Sequence, residues 1–393
     1  MPKNRSAPTT SYLEEHSEAK ASFISAYLSV YHRILERAQS IREVLIYDLM
    51  CGEGVYADGK KGTAHEVLDA VKRHFFSDLK ARQGQGMRVG VHLNDTGVSD
   101  ITDGMSKAQH AAESCGALIR TLRDNTHYQV EVTETDALDL ALASLKKIGA
   151  GRSRRFLLIF DPRGYSRVTP SSLREILSFE GVEIFLFVPV SNMYRPAKAA
   201  QKQSFPGSRP IEIWIEELWG DEPVMAQSAT EFLEQLRNRV TAMLGVGHYV
   251  GSFQLDSSSS ANSYGLLFIS QTLRGLEVIN EKKWSHDPEK GAGYRRDRSQ
   301  FSIFNPSRDR FNTELVEFIR SSPSGRSNLE IAEFAITRGF LAKHAKEALD
   351  PLLRARSIVR VDDQGRPAPG YHLNRPSRDK TKRFVKMVQP SLL

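Results

Sequence analysis

The sequence predicts an α/β protein: a Rossmann-like, doubly wound sheet with a helical insertion, then a smaller winged-helix-like unit. Three observations predict it. Short apolar runs at 43–49, 155–160 and 182–188 alternate with stretches of helical spacing, the pattern of a parallel sheet covered by helices. The first run ends in Asp48-Leu49-Met50-Cys51-Gly52-Glu53-Gly54, an acid at a strand's end followed by two glycines. Beyond residue 311 the order changes to three helices and a hairpin.

Taken in order, residues 14–39 place Phe23, Ile24, Tyr27, Leu28, Tyr31 and Leu35 on one helical stripe. A helix over 63–76 turns Val67, Leu68, Val71 and Phe75 inward, and 87–94 alternates towards a second strand. One helix around 106–123 leads to a third strand at 128–132, and a helix at 138–148 precedes the apolar strand 155–160. A helix at 171–179 and the strand 182–188 complete the regular alternation. Pro196, Pro206 and Pro210 then break the rhythm, and helices at 211–219 and 228–243 read as an insertion over the carboxyl edge of the sheet. Two further strands, 248–255 and 264–270, suit the class I methyltransferase type of this sheet, whose last strand runs antiparallel. The first domain is therefore expected over 1–285 and a polar linker over 286–310. A winged-helix-like domain is expected over 311–375 and a basic tail over 376–393. In the winged-helix-like segment Ser327-Asn328-Leu329-Glu330 is a capping box, and a hairpin is expected between 358–361 and 370–373.

The composition of the 393 residues, 26% charged and 40% hydrophobic, is that of an ordinary globular protein. No apolar run approaches the ~20 residues that cross a bilayer, and the first residues lack the apolar core of a secretory signal, so the cytoplasm is expected. Two cysteines, Cys51 and Cys115, cannot build a disulfide framework or a zinc site, so no metal is expected. The formal charge of +7 favours polyanionic partners. Between 375 and 386 six basic residues, among them Arg378, Lys380, Lys382 and Arg383, stand against Asp379 alone. That run reads either as a solvated tail or as a nucleic-acid contact.

Several constellations carry candidate chemistry. Asp48 at a strand's end offers a charge for an ammonium group, such as that of S-adenosylmethionine, while Gly52 and Gly54 permit a tight turn and a ligand's close approach. Gly52-Glu53-Gly54-Val55-Tyr56-Ala57 also fits the dinucleotide fingerprint, but the next strand-end acid, at Asn94-Asp95, lies about twice too far along. Asp95 or Asn94 could instead hold ribose hydroxyls, or simply form a polar strand end. Asp136 suits either the adenine amino group or the N-cap of the helix after it. Asp161-Pro162-Arg163-Gly164-Tyr165 sits where amino-methylating DNA enzymes carry an acid or amide, two prolines and an aromatic ring. Asp161 could accept from a target amine or cap the next helix, Tyr165 could stack on a base, and Arg163 could meet a phosphate or carboxylate. His16 and Lys20 share a helical face. On the second predicted helix of the C-terminal unit, Lys343, His344 and Lys346 are expected outward as a basic reading face, with Arg366 on the wing.

A family resemblance joins these motifs. His16-Ser17-Glu18-Ala19-Lys20 with Tyr27-Leu28, the Asp48 loop, Asp161-Pro162-Arg163-Gly164-Tyr165, and Leu267-Phe268-Ile269-Ser270 before Gly275 together resemble the three-Cys-motif partner proteins over most of 12–285. The resemblance implies a methyltransferase-like Rossmann domain and a C-terminal helical region. It also implies a radical-SAM-like partner bearing three cysteines, and for His16 and Lys20 a place against the cofactor carboxylate. Where that family reads Asp-Leu-Phe-Ala-Gly-Pro-Gly, this chain has Met50, Cys51 and Glu53; where it reads Asp-Pro-Phe-Gly, this chain has Arg163. Two functions are therefore expected. One is an S-adenosylmethionine-dependent methyltransferase acting on nucleic acid, in DNA modification, repair or phage defence. The other is an inert Rossmann and winged-helix adaptor that brings DNA to a partner enzyme.

Overall fold

The computed structural model describes residues 12–13, 15–38, 40–77, 86–124, 126–149, 151, 153–162, 168–191, 193–194, 209–256, 263–286, 293–294, 306–368, 370, 373 and 383–387. The chain divides into one unit of Met1–Gln271 with Tyr294–Asp297 and another of Thr272–Gly293 with Arg298–Leu393.

The first unit opens with α1 (Glu15–Arg37), whose stripe of Phe23, Ile24, Tyr27, Leu28 and Tyr31 is buried. In β1 (Glu43–Asp48) every residue after Glu43 is buried, as expected of a parallel strand covered on both faces. There follow α2 (Thr63–Ser77), β2 (Arg88–Asn94), α3 (Lys107–Ser114), α4 (Gly116–Arg123), β3 (Tyr128–Thr133), α5 (Ala137–Ile148) and β4 (Arg154–Phe160). Then come α6 (Pro170–Leu177), β5 (Val182–Val188), α7 (Arg209–Trp219), α8 (Ala229–Leu244), β6 (Tyr249–Asp256) and β7 (Ser263–Ser270). The single helix expected over 106–123 is in fact α3 and α4. Cys115 leaves helical geometry at φ −96°, ψ 10°, and Gly116, a poor helix former, follows it.

The strands lie in the order β3-β2-β1-β4-β5-β7-β6, with a two-residue β8 (Gly293–Tyr294) beyond β6. β1 to β5 pair in parallel, whereas β7 is antiparallel to both β5 and β6. This is the sheet of class I methyltransferases. Strand order reverses between β1 and β4, so the carboxyl ends of those two strands flank the crevice where such folds take ligands. The inserted helices correct one expectation. Rather than covering the carboxyl edge, α7 and α8 put Ile211, Trp214, Phe232 and Leu236 into the apolar cluster that Leu158, Ile184 and Leu267 build on one face of the sheet. Their apolar stripes require burial, and a sheet face supplies it.

The second unit comprises α9 (Leu273–His286), α10 (Pro306–Arg320), β9 (Arg326–Ser327), α11 (Asn328–Thr337), α12 (Ala342–Arg354), β10 (Ile358–Asp362) and β11 (Arg383–Met387). Its core gathers Trp284, Phe311, Leu315, Ile331, Leu349 and Val385. The boundary expected at 285 lies instead at 271, because α9 belongs to this core. Asn280 Nδ2 donates to Ile336 O at 2.8 Å, and Trp284 Nε1 donates to Gly339 O at 2.9 Å. The expected capping box is present: Glu330 N donates to Ser327 Oγ and Ser327 N to Glu330 Oε2.

The strand partner of β10 differs from the one expected. Residues 371 and 372 of the anticipated hairpin arm lie outside the described residues. Among the described residues β10 pairs with β11, which also takes β9 on its other side, so the sheet order is β10-β11-β9, all antiparallel. Pro367 makes a single bridge to Val361. A proline withholds a ladder donor, whereas Phe384 and Val385 suit a strand. Arg383 accordingly lies within β11, opposite Asp362, and not in a tail.

Candidate functional site

The first unit concentrates its unusual polar chemistry at the carboxyl ends of β1, β2 and β4. Asp48 closes β1, opposite Leu93 of β2 and Ile159 of β4, and is 0% exposed. Among the described residues neither of its carboxylate oxygens has a hydrogen-bond partner. Burial, then the negative charges of Asp161 and Asp95, push this carboxyl well above the usual range. The Met50 amide opposes that shift weakly from outside hydrogen-bonding geometry. A buried carboxylate left without a donor is costly, and in a crevice it is the place where an incoming cation or donor gains most.

The loop after β1 is braced from the strand beside it. Gly52 takes φ +64° and donates its amide to Asp95 Oδ2 at 3.0 Å, while Asp95 Oδ1 accepts from Gly97 N at 2.7 Å. Asp95 is therefore engaged on both oxygens in holding two loops together. Asn94, the other ribose candidate, is 1% exposed and wholly occupied. Its Nδ2 donates to Leu49 O and Thr135 O, and its Oδ1 accepts from Thr133 Oγ1 and Thr135 N, each at 2.9 Å. It ties the loops after β1 and β3 to the end of β2. Gly54, at φ +76°, is required for a different approach from the one expected. A Cβ there would meet Ala111 Cα and Ser114 Oγ at 2.8 Å, so the glycine admits α3.

The sequence marks Glu53 only as a departure from the family pattern. In the fold it is 0% exposed and organises the neighbouring loop. Its oxygens accept from Ser99 Oγ and Asp100 N at 2.8 Å, with Lys107 Nζ at 3.9 Å and His110 Nδ1 at 3.3 Å. The available signal is a charged residue between two turn glycines, which has to find buried donors if the loop is buried.

Asp161 follows β4 and accepts from Lys20 Nζ of α1 at 2.7 Å. That ammonium is also 4.9 Å and 5.0 Å from the ring centroids of Phe187 and Tyr264. Lys20 thus reaches the expected edge but gives its charge to Asp161. Pro162 follows directly; Arg163 and Tyr165 lie outside the described residues. His16 falls in the first turn of α1, and its side chain lies outside them too. Asp136 takes the capping role: its Oδ1 accepts from Leu138 N at 3.0 Å and Asp139 N at 3.1 Å.

In the second unit the expected reading face is only partly basic. Lys343 is exposed on α12, but His344 is 4% exposed and faces the core. Its Nδ1 accepts from Leu341 N at 3.1 Å, its ring lies 4.1 Å from that of Trp284, and burial lowers its pKa to about 4. The reason is positional, since the helix begins at Ala342 and His344 folds back to cap it. Lys346 pairs with Asp350 at 2.7 Å, and Arg366 with Asp362 at 2.9 Å. Arg378, Lys380 and Lys382 lie outside the described residues, as does the side chain of Arg383. Among the described residues no cluster of three His, Cys, Asp or Glu could hold a metal ion, and no helix is long and apolar enough to cross a membrane.

No protein-family model and no curated protein matches the chain. Among solved structures it is similar to an O-methyltransferase from Bacillus cereus in complex with SAH, at 13% identity, covering 68% of this chain and 84% of that one, with a TM-score of 0.31. A putative O-methyltransferase from Klebsiella pneumoniae is 11% identical, with 68% and 92% covered and a TM-score of 0.32. The O-methyltransferase TomG from Streptomyces achromogenes, in complex with SAM, is 12% identical, with 66% and 91% covered and a TM-score of 0.32. The fold assignment rests on the strand order and pairing described above.

Proposed function

We propose that the first unit binds S-adenosylmethionine at the carboxyl edge of its sheet and acts as a methyltransferase-type module. One observation carries this reading: the buried carboxylate of Asp48, unpartnered on both oxygens among the described residues, at the point where strand order reverses. The group fits that carboxylate, because its methionyl end offers an ammonium with several donors. When bound, it supplies an activated methyl group. Of the chain's own residues, Asp48 would hold the ammonium, Gly52 would keep the loop close, and Asp95 would fix that loop to β2.

Isothermal titration tests the reading in two ways. A cation beside Asp48 favours its ionised form, so binding should release a proton from a carboxyl held above its usual range. The apparent enthalpy should then change between phosphate and Tris at the same pH. Asp48→Asn should weaken binding about tenfold to a hundredfold, the loss of one or two charge-assisted bonds. The same variant should melt at a higher temperature, since it removes a buried unpaired acid. Equal affinity in wild type and Asp48→Asn would sink the assignment.

Nucleic acid is the acceptor class we propose, with a radical-SAM-like three-Cys-motif protein as partner, as the family resemblance implies. Support comes from the second unit, in which α10, β9, α11, α12, β10 and β11 follow one another in the order of a winged helix, and from exposed Lys343 on α12. Fluorescence anisotropy on a short duplex across a salt series is the measurement. Lys343→Ala should reduce the log–log salt slope by about 0.9 if that lysine meets a phosphate. The inert adaptor becomes the better reading if duplex binding persists while S-adenosylmethionine gives no heat at millimolar concentration.

A further inference from the structure

Three acids gather at the carboxyl edge, each from a different element, and they meet different fates. Asp95, after β2, accepts backbone bonds on both oxygens. Asp161, after β4, takes the Lys20 ammonium at 2.7 Å. Asp48, ending β1, has no partner on either oxygen among the described residues. The Lys20 side chain is 5% exposed, pressed between the rings of Phe187 and Tyr264, and comes from 141 residues away in sequence. A cation so enclosed is a built feature, because a lysine on a surface helix ordinarily keeps its charge in water.

We propose that Lys20 is a charge-setting residue: by neutralising Asp161 inside the chain, it leaves Asp48 as the carboxylate that requires one positive charge from a ligand. The inference rests on the reading of the first unit as an S-adenosylmethionine site and gives that site its charge selectivity. Lys20 is a positioning residue here, acting on the ligand through Asp161 and Asp48. Among the described residues, the ionisable groups that act on Asp48 are Asp161 and Asp95, with the buried thiol of Cys51 beside it. Of these, Asp161 follows burial as the largest influence. Stripped of Lys20, Asp161 would repel an ionised Asp48 in full, and the Asp48 carboxyl, already raised by burial, would be pushed further up and give up its proton to an incoming cation less readily.

The test follows the Asp48 carboxyl by carbon-13 NMR through a pH titration, assigned by its loss in Asp48→Asn, alongside titration calorimetry with S-adenosylmethionine. In Lys20→Met the Asp48 midpoint should rise by about one pH unit, and affinity at pH 7 should fall roughly tenfold, recovering as pH is raised. Lys20→Met with Asp161→Asn should return both towards wild type, a rescue that a merely structural lysine would not give. Lys20→Arg should keep both within about twofold. Asp161→Asn alone removes the neighbouring negative charge and should move the midpoint down, so the idea stays testable if Lys20→Met fails to fold. An unchanged midpoint in Lys20→Met, or a double variant no nearer wild type, overturns the proposal. Absence of S-adenosylmethionine binding to wild type would remove the reading of the site, while the carboxyl titration would still decide the role of Lys20.

Discussion

Gly54→Ala is expected to destabilise the first unit by about 2–5 kcal/mol, as measured by urea unfolding followed by circular dichroism. Two costs add. A left-handed φ of +76° in a residue with a Cβ costs about 1–2 kcal/mol. The new carbon also meets the Ala111 backbone at 2.8 Å, and forcing a helix back from a packed loop costs about 1–3 kcal/mol. The packing cannot relax cheaply, because the same contact carries Val55 N donating to Ser114 Oγ and Ser114 Oγ donating to Glu53 O, both at 3.2 Å. Gly52→Ala provides the control. It has a similar φ of +64°, but its nearest obstacle is the tip of the Tyr56 side chain at 3.0 Å and not a helix backbone, so its cost should stay near about 1–2 kcal/mol. Equal losses in the two variants would show that α3 does not press on Gly54.

Acidification should loosen the same unit through His32, on α1. The ring is 0% exposed, neither nitrogen has a hydrogen-bond partner among the described residues, and it stacks on His74 of α2 with centroids 4.8 Å apart. Burial first, then the neighbouring His74, lowers its pKa from 6.5 to about 3. The unfolded chain therefore binds this proton more readily than the folded one. Stability contributed by the neutral ring is whole above pH 6.5 and is lost as pH falls towards 3. At pH 5 the loss should be about 2 kcal/mol from this residue alone. His74, His65 and His92 are also lowered, each mainly by burial, so the full dependence should be steeper. Thermal melts of wild type and His32→Leu between pH 7 and pH 5 measure the difference. A variant that loses stability as fast as wild type would place the acid sensitivity elsewhere.

The sheet was legible because its signals are local. A run such as Phe156-Leu157-Leu158-Ile159-Phe160 is too short for a buried helix and reads as a strand covered on both faces, while the glycine loop after Asp48 fixes where the first strand turns. The capping box at Ser327 and the cap at Asp136 were equally local. What escaped depends on partners distant in sequence. Nothing near Lys20 announces Asp161, nothing near Glu53 announces Ser99 and Lys107, and the occupancy of Asn94 depends on loops after two other strands. His344 misled because helical spacing assigns a face only once the helix start is known. Near that start a polar side chain can fold back as a cap, and this one does.

The central place of β11 has a consequence for how the second unit is made. Among the described residues, β9 and β10 are joined only through the strand Arg383–Met387, which follows both of them along the chain. During synthesis from the amino end, the helices α10 to α12 emerge from the ribosome before the strand that closes their sheet. They must wait, with Val385 missing from their core, until residue 387 is clear of the exit tunnel. Until then the nascent unit carries unpaired edges on β9 and β10, a species suited to chaperone capture. The length of chain between Asp362 and Arg383 then sets how quickly the closing strand arrives and how long that gap stays open.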